Sequence, residues 1–221
     1  VSFEQFHLTP LDVLDKMGEL PSRVSITLSP ESHDPRIAKL SGRGVYTNEE
    51  MEVWIEEALA RGIHAIDVWY FVGMPEQTEK SAFETVDYCS RLLERFKGRA
   101  VNPMICPMVP FLDPASNIFE RPDDYGYRIF YRTAEEHRRG MQRASIIHRM
   151  NYETRWLSRE RLVMTGYAAI RQLMTEKARH GMLPGSAVGR YNEKIDDAMR
   201  FVMAVHEADS IADERDRARA I

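Results

Sequence analysis

The chain has 221 residues, 43% hydrophobic and 29% charged, with 30 Lys and Arg against 34 Asp and Glu. A domain of this size buries roughly 70% of its unfolded surface, so it needs neither disulfides nor metal to hold a core. The slight acidic excess argues against a nucleic-acid or membrane-surface partner, because either recruits basic residues. Two cysteines, Cys89 and Cys106, exclude a disulfide scaffold and a four-thiolate zinc site. They cannot hold an iron–sulfur cluster by themselves. No apolar run is long enough for a membrane span. The opening VSFEQFHLTP lacks the basic and apolar regions of a signal peptide. A cytoplasmic location is the expectation. The chain opens without Met, directly in a strand pattern, and reads as a piece of something longer.

The first half alternates apolar runs with helical patterns. VSFEQF (1–6) alternates apolar and polar residues and predicts a strand. Thr9-Pro10 suits the N-cap and first position of a short helix that Gly18 ends. VSITLS (24–29) is the next strand. Thr47 and Glu50 form a capping box. It precedes a helix with Met51, Trp54, Ile55, Ala58 and Leu59 on one face, and Gly62 stops that helix. AIDVWYFV (65–72) is almost wholly apolar, as a buried parallel strand is. Thr78 caps a long helix with a core stripe of Phe83, Val86, Ser90, Leu93 and Phe96, closed at Gly98. VNPMIC (101–106) is a fourth strand, and its Pro103 weakens it for a central place.

This alternation predicts an α/β fold: four parallel strands, adjacent in chain order, with helices packed outside. They form an open doubly wound sheet or a partial (β/α) barrel. In both, ligands sit at the C-terminal ends of the strands. Residues 107–132 carry four prolines and many aromatics and read as a long irregular, ordered connection. Helices then follow at about 133–148, 158–180 and 191 to the end. The boundary falls at about residue 115, giving a sheet region (1–115) and a mainly helical C-terminal region (116–221).

Three loops carry candidate chemistry. Ser29-Pro30-Glu31-Ser32-His33-Asp34 follows a strand. Glu31 suits a ribose diol or an amine, with Ser29 as a weaker partner, while Ser32 and Asp34 also suit a helix cap before Pro35. In Tyr70-Phe71-Val72-Gly73-Met74-Pro75-Glu76-Gln77-Thr78, Gly73 lets backbone approach a flat ligand and the helix start offers free amides to an anion; an ordinary strand–helix turn explains the same residues. Cys106 and Pro107 close the fourth strand before Met108–Phe111. A thiol there points into a pocket or is simply buried. The seven histidines show no metal-ligand spacing. A run from Arg128 to Arg161 is a solvated helix face with pairs such as Glu135–Arg139, or a docking face for an acidic partner or an RNA.

The wording SPES, GRGVYTNEEME and VWYFVGMPEQT resembles the back half of the radical SAM superfamily, most of all members with an N-terminal cobalamin-binding domain. The resemblance covers about residues 1–115. It implies a partial barrel that binds S-adenosylmethionine. Ser29 and Glu31 would then meet its ribose or amino acid moiety. Phe71, Gly73 and Glu76 would hold the places of a glycine-containing motif near adenine, with Trp69 replacing that motif's first glycine. The backbone at Cys106 and Pro107 would contact adenine. It further implies methyl-transfer or related radical chemistry on a small molecule or peptide, a 4Fe-4S cluster and, in such members, cobalamin. The superfamily's CxxxCxxC cluster loop and its first two strand–helix units are absent. The resemblance therefore implies that the missing N-terminal half, or a cobalamin-binding domain, is this chain's partner, and that the chain is inactive alone. Two other readings are a complete small α/β binding protein, and a metal-free lyase or aldolase using Glu31 or Glu76 as base.

Overall fold

The computed structural model describes residues 1–107 and 112–220. Its centre is one sheet of four parallel strands in the order β1 (Ser2–Gln5), β2 (Ser25–Glu31), β3 (Ala65–Val72) and β4 (Val101–Pro107). All four expected strands form, adjacent and in chain order. Helices α1 (Leu11–Gly18), α2 (Pro35–Leu40), α3 (Asn48–Ala60) and α4 (Glu79–Arg95) lie in the crossovers.

The two faces of the sheet differ sharply. Side chains alternate across a strand. Ile26, Leu28, Ile66, Val68, Tyr70 and Val72 are buried in one core with Leu14, Met51, Ile55, Val86 and Leu92 of the helices. The opposite residues of β3, including Asp67, Trp69 and Phe71, are only half-buried. No helix of the four crossovers covers them.

Local signals explain the helix starts. Thr47 accepts from the Glu50 amide at 3.1 Å while the Glu50 carboxylate accepts from the Thr47 amide at 2.7 Å. Asp34 caps α2 through the Arg36 and Ile37 amides. In α1 the cap is Pro10 rather than Thr9, because the Thr9 hydroxyl donates to Gln5 Oε1 at 2.6 Å. Gly18 is the last residue of α1 for a packing reason: a Cβ there would meet the Arg61 carbonyl at 1.9 Å.

Three helical expectations need correction. The buried face of α4 centres on Ala82, Val86, Cys89 and Leu92, so Phe83 and Ser90 flank the stripe. The helix expected at 133–148 breaks into α6 (Ala134–Met141) and α7 (Ile146–Arg149), because Ser145 caps a fresh start. The last helix begins at Gly185, as α9 (Gly185–Asp209), and is followed by α10 (Glu214–Ala220). Helix α8 (Arg159–Arg179) stands where expected.

The irregular connection holds α5 (Asn117–Glu120), a 3₁₀ turn at Pro122–Tyr125 and strand β5 (Tyr127–Ile129). β5 pairs antiparallel with β6 (Tyr152–Thr154), a short two-stranded ladder joined through α6 and α7 that the sequence pattern does not announce. α8 packs along β4 and α4 and so covers the outer edge of the sheet on that side. Pro103 on edge strand β4 deprives no neighbouring strand of a donor. At the other edge β1 is exposed along its length. Among the described residues no helix is long and apolar enough to cross a membrane.

Candidate functional site

The C-terminal ends of β2, β3 and β4 bring the expected residues to one end of the sheet. Two loop backbones there are strained. Glu31 has φ 69° and Glu76 has φ 60°, a region that costs an L-residue about 1 kcal/mol or more. Ser32 N donates to Pro30 O at 2.8 Å, which closes a tight γ-turn over Glu31. Such strain persists only where the surroundings impose it, and it gathers at functional sites.

Glu31 is mostly buried, and its Oε1 meets Arg43 at 3.1 Å. Burial raises its carboxyl above the ordinary range, and Arg43 only partly offsets this. The Arg43 guanidinium also lies over the Phe6 ring, 4.3 Å from its centroid. The Tyr46 hydroxyl is buried without a hydrogen-bond partner among the described residues, and burial pushes its pKa up to about 12. Glu76 pairs with Arg36 near the surface.

Gly73 turns the chain at the end of β3 with φ 115°, where a side chain would be strained. The loop is fastened by Gln77, which is 1% exposed. Its Oε1 accepts from the Gly73 amide at 2.7 Å and the Met74 amide at 3.2 Å, and its Nε2 donates to the Phe71 carbonyl at 3.0 Å. The Tyr127 hydroxyl of β5 donates to the Gly73 carbonyl. The ladder thus sits over the strand ends, with the Tyr127 and Tyr152 rings 5.5 Å apart. Asn151 extends the tie through the Leu112 amide at 2.9 Å.

Ser29 and Phe71 face elsewhere. With Glu4, Thr27, Asp67 and Trp69 they line a cleft on the half-covered face of the sheet. The Trp69 and Phe71 rings stack at 6.5 Å and 29°. Cys106 is half-buried at the end of β4, and burial raises its thiol. The Pro107 backbone pairs in register with Val72. Met108–Phe111 lie outside the described residues.

The structure therefore divides the expected set. Glu31, Gly73, Glu76 and the backbone at 106–107 gather at the strand ends, under the ladder. Ser29 and Phe71 open onto the cleft. Asp34 is the cap of α2, and Ser32 is not: its Oγ accepts from the Asp34 amide at 3.1 Å, in the turn before the helix. Most of the arginine run is committed to structure. Arg149 donates to the Arg143 carbonyl, Arg155 to that of Asp123 and Arg159 to that of Met150, while Arg161 pairs with Glu79. Glu135 pairs with both Arg138 and Arg139.

Sequence reasoning gives Gln77 no role and misses Tyr127 and a buried polar chain at Lys177. Lys177 Nζ donates to Asn102 Oδ1 at 2.6 Å, and Asn102 Nδ2 donates to Asp67 Oδ1 at 2.7 Å. Burial lowers the Lys177 pKa. One signal exists: Lys177 continues the buried stripe Leu162, Gly166, Ala169 and Leu173 of α8, where a lysine has no apolar reason to be.

A cluster of iron and sulfur does not fit this chain's cysteines. Cys89 lies in the helix-side core, whereas Cys106 lies at a strand end. Among the described residues no group of three or more His, Cys, Asp or Glu is placed to hold a metal ion. A nucleoside fits better, since Ser29 and Phe71 offer a hydroxyl and a flat ring to the cleft. A scan of protein-family models finds none that matches the chain, and a search of curated proteins finds no match.

Proposed function

We propose that the chain is the C-terminal portion of a radical SAM enzyme and forms one wall of its barrel. The observation that supports this is the asymmetry of the sheet. The β4 edge is covered by α8, while β1 is exposed along its length. A bare edge in a parallel sheet, beside a half-covered polar face, suits pairing with further strands. In this reading Ser29 and Phe71 hold the ribose and adenine of S-adenosylmethionine. Glu31 joins them when Arg43 turns away, and Gly73, Glu76 and the backbone at 106–107 shape the adenine end. The 4Fe-4S cluster, which supplies the electron that cleaves the sulfonium, and any cobalamin belong to the preceding part of the protein.

The chain alone then binds S-adenosylmethionine weakly or not at all, because a few hydrogen bonds of about 1 kcal/mol each do not offset the ordering costs of binding. Two measurements test the reading. The coding sequence upstream of Val1, read in frame, should specify a CxxxCxxC loop. Calorimetric titration of the purified chain with S-adenosylmethionine should show no micromolar binding. An upstream region without that loop would overturn the proposal.

A further inference from the structure

The cleft on the half-covered face has a chemical character of its own. It presents two carboxylates, Glu4 and Asp67, three hydroxyls, Ser2, Thr27 and Ser29, and the stacked pair Trp69 and Phe71. Among the described residues no Lys or Arg lines it. Ser29 is 3% exposed, and its hydroxyl, which reaches the cleft, has no hydrogen-bond partner among the described residues. The Trp69 Nε1 is shielded from water and has no hydrogen-bond partner among the described residues, and a donor that buried normally finds one.

Asp67 is aimed rather than loose. Lys177 fixes which end of the Asn102 amide faces it, since the ammonium donates to Oδ1 and leaves Nδ2 to donate to Asp67 Oδ1. The other carboxylate oxygen of Asp67 takes no hydrogen bond from the described residues. Lys177 does not line the cleft, and its ammonium touches Asp67 only through that amide, although the two charges attract one another across it.

We propose that this cleft binds a small hydroxylated organic cation, with Asp67 as its recognition carboxylate. The cation lies against the Trp69 face, where ring quadrupole and carboxylate attract the same charge. Its hydroxyl pairs with Ser29. Asn102 and Lys177 are positioning residues, because they act on the ligand through Asp67. The site stands on the cleft itself and does not depend on the superfamily reading; because both use Ser29 and the Trp69–Phe71 pair, the cation and the nucleoside proposed above bind in competition.

The test is titration of the full chain with choline, followed by the Trp69 indole N–H signal in ¹H–¹⁵N spectra. The control probe is 3,3-dimethylbutan-1-ol, which has the same shape without the charge. Choline should shift the signal saturably in the millimolar range and the alcohol should not. Asp67→Asn should weaken choline about tenfold, through the lost attraction between carboxylate and quaternary ammonium, and Ser29→Ala about threefold, the scale of a lost neutral hydrogen bond. Each variant's spectrum reports its fold. Ser29→Ala carries the test if the Asp67 variant does not fold. Equal response to both probes, no response to choline at tens of millimolar, or undiminished binding in the folded variants would overturn the proposal.

Discussion

The sheet region and the helical tail are held together by different physics. One continuous apolar core runs from the strands and crossover helices into the tail, through Tyr127, Ile147, Tyr152, Leu162 and Leu173. In the tail, α7 and α9 also meet around a single buried carboxylate. Asp209 takes hydrogen bonds from Arg143 Nε at 3.0 Å, His148 Nδ1 at 2.7 Å and the Ser145 amide at 3.3 Å. Burial would raise the Asp209 carboxyl, but these donors outweigh it and hold it below the ordinary range. Apolar burial is non-directional and spreads its stability over many residues. A buried ionic knot concentrates stability in one place and fails when one partner is lost.

The largest expected effect comes from the sheet. Ile66 is fully buried beneath the crossover helices, and Ile66→Ala should cost about 4 kcal/mol by transfer and cavity terms. Chemical denaturation should show a lower midpoint for the whole chain. Asp209→Ala should cost about 2–3 kcal/mol, since it strands Arg143 and His148 near one another. Hydrogen exchange should speed up in α9 while β2 and β3 stay protected. A uniform loss across both regions would end the comparison.

Gln77→Leu sharpens it at the junction. The substitution unseats three hydrogen bonds of the β3–α4 loop and should cost about 2 kcal/mol by leaving buried amides unpaired. The Tyr127 tie to Gly73 should loosen with it, which fluorescence or exchange at the β5–β6 ladder would register. An unchanged melting midpoint would show that the ladder and not Gln77 holds the loop.

Acid should separate the regions further. Burial pulls the His148 pKa below the ordinary histidine value, against the attraction of Asp209. The unfolded chain therefore takes up that proton first. Stability is complete above about pH 6.5 and declines as pH falls toward the folded value. His33, lowered mainly by burial against Thr85 and Tyr88, has the same sign. Melting midpoints taken at about pH 7.5 and about pH 5.5 should fall on the acid side, and His148→Gln should reduce the fall.

The smallest effect is expected at Lys177→Met. A buried lysine carries a desolvation cost that a thioether does not, so stability should change by less than about 1 kcal/mol. A large loss would show that α8 depends on that ammonium to cover β4.

The elements most legible in the sequence are those set by local chemistry. The Thr47–Glu50 box, the Asp34 cap and the apolar run at 65–72 specify their structures through neighbours a few residues away, and all appear where the sequence puts them. The strand ends were legible for the same reason, because β–α alternation locates them. The β5–β6 ladder was not. Tyr127 and Gly73 lie 54 residues apart, and three-residue strands have too few positions to show a period. Lys177 and Asn102 are 75 residues apart, so their meeting depends on how α8 is laid against β4. Glu31 could be named from its loop, but its arginine partner and strained turn follow from tertiary structure alone.

The unequal edges of the sheet have a consequence for association. A chain that grows into a filament needs two complementary ends, and this sheet offers one. With β4 covered by α8, a second copy can add only at β1. Two such edges meeting about a two-fold axis satisfy each other and leave nothing for a third. In polymer terms such an edge is monofunctional: copies paired through β1 would stop at the dimer, and the same edge cannot at once meet the preceding strands that the proposed function gives it.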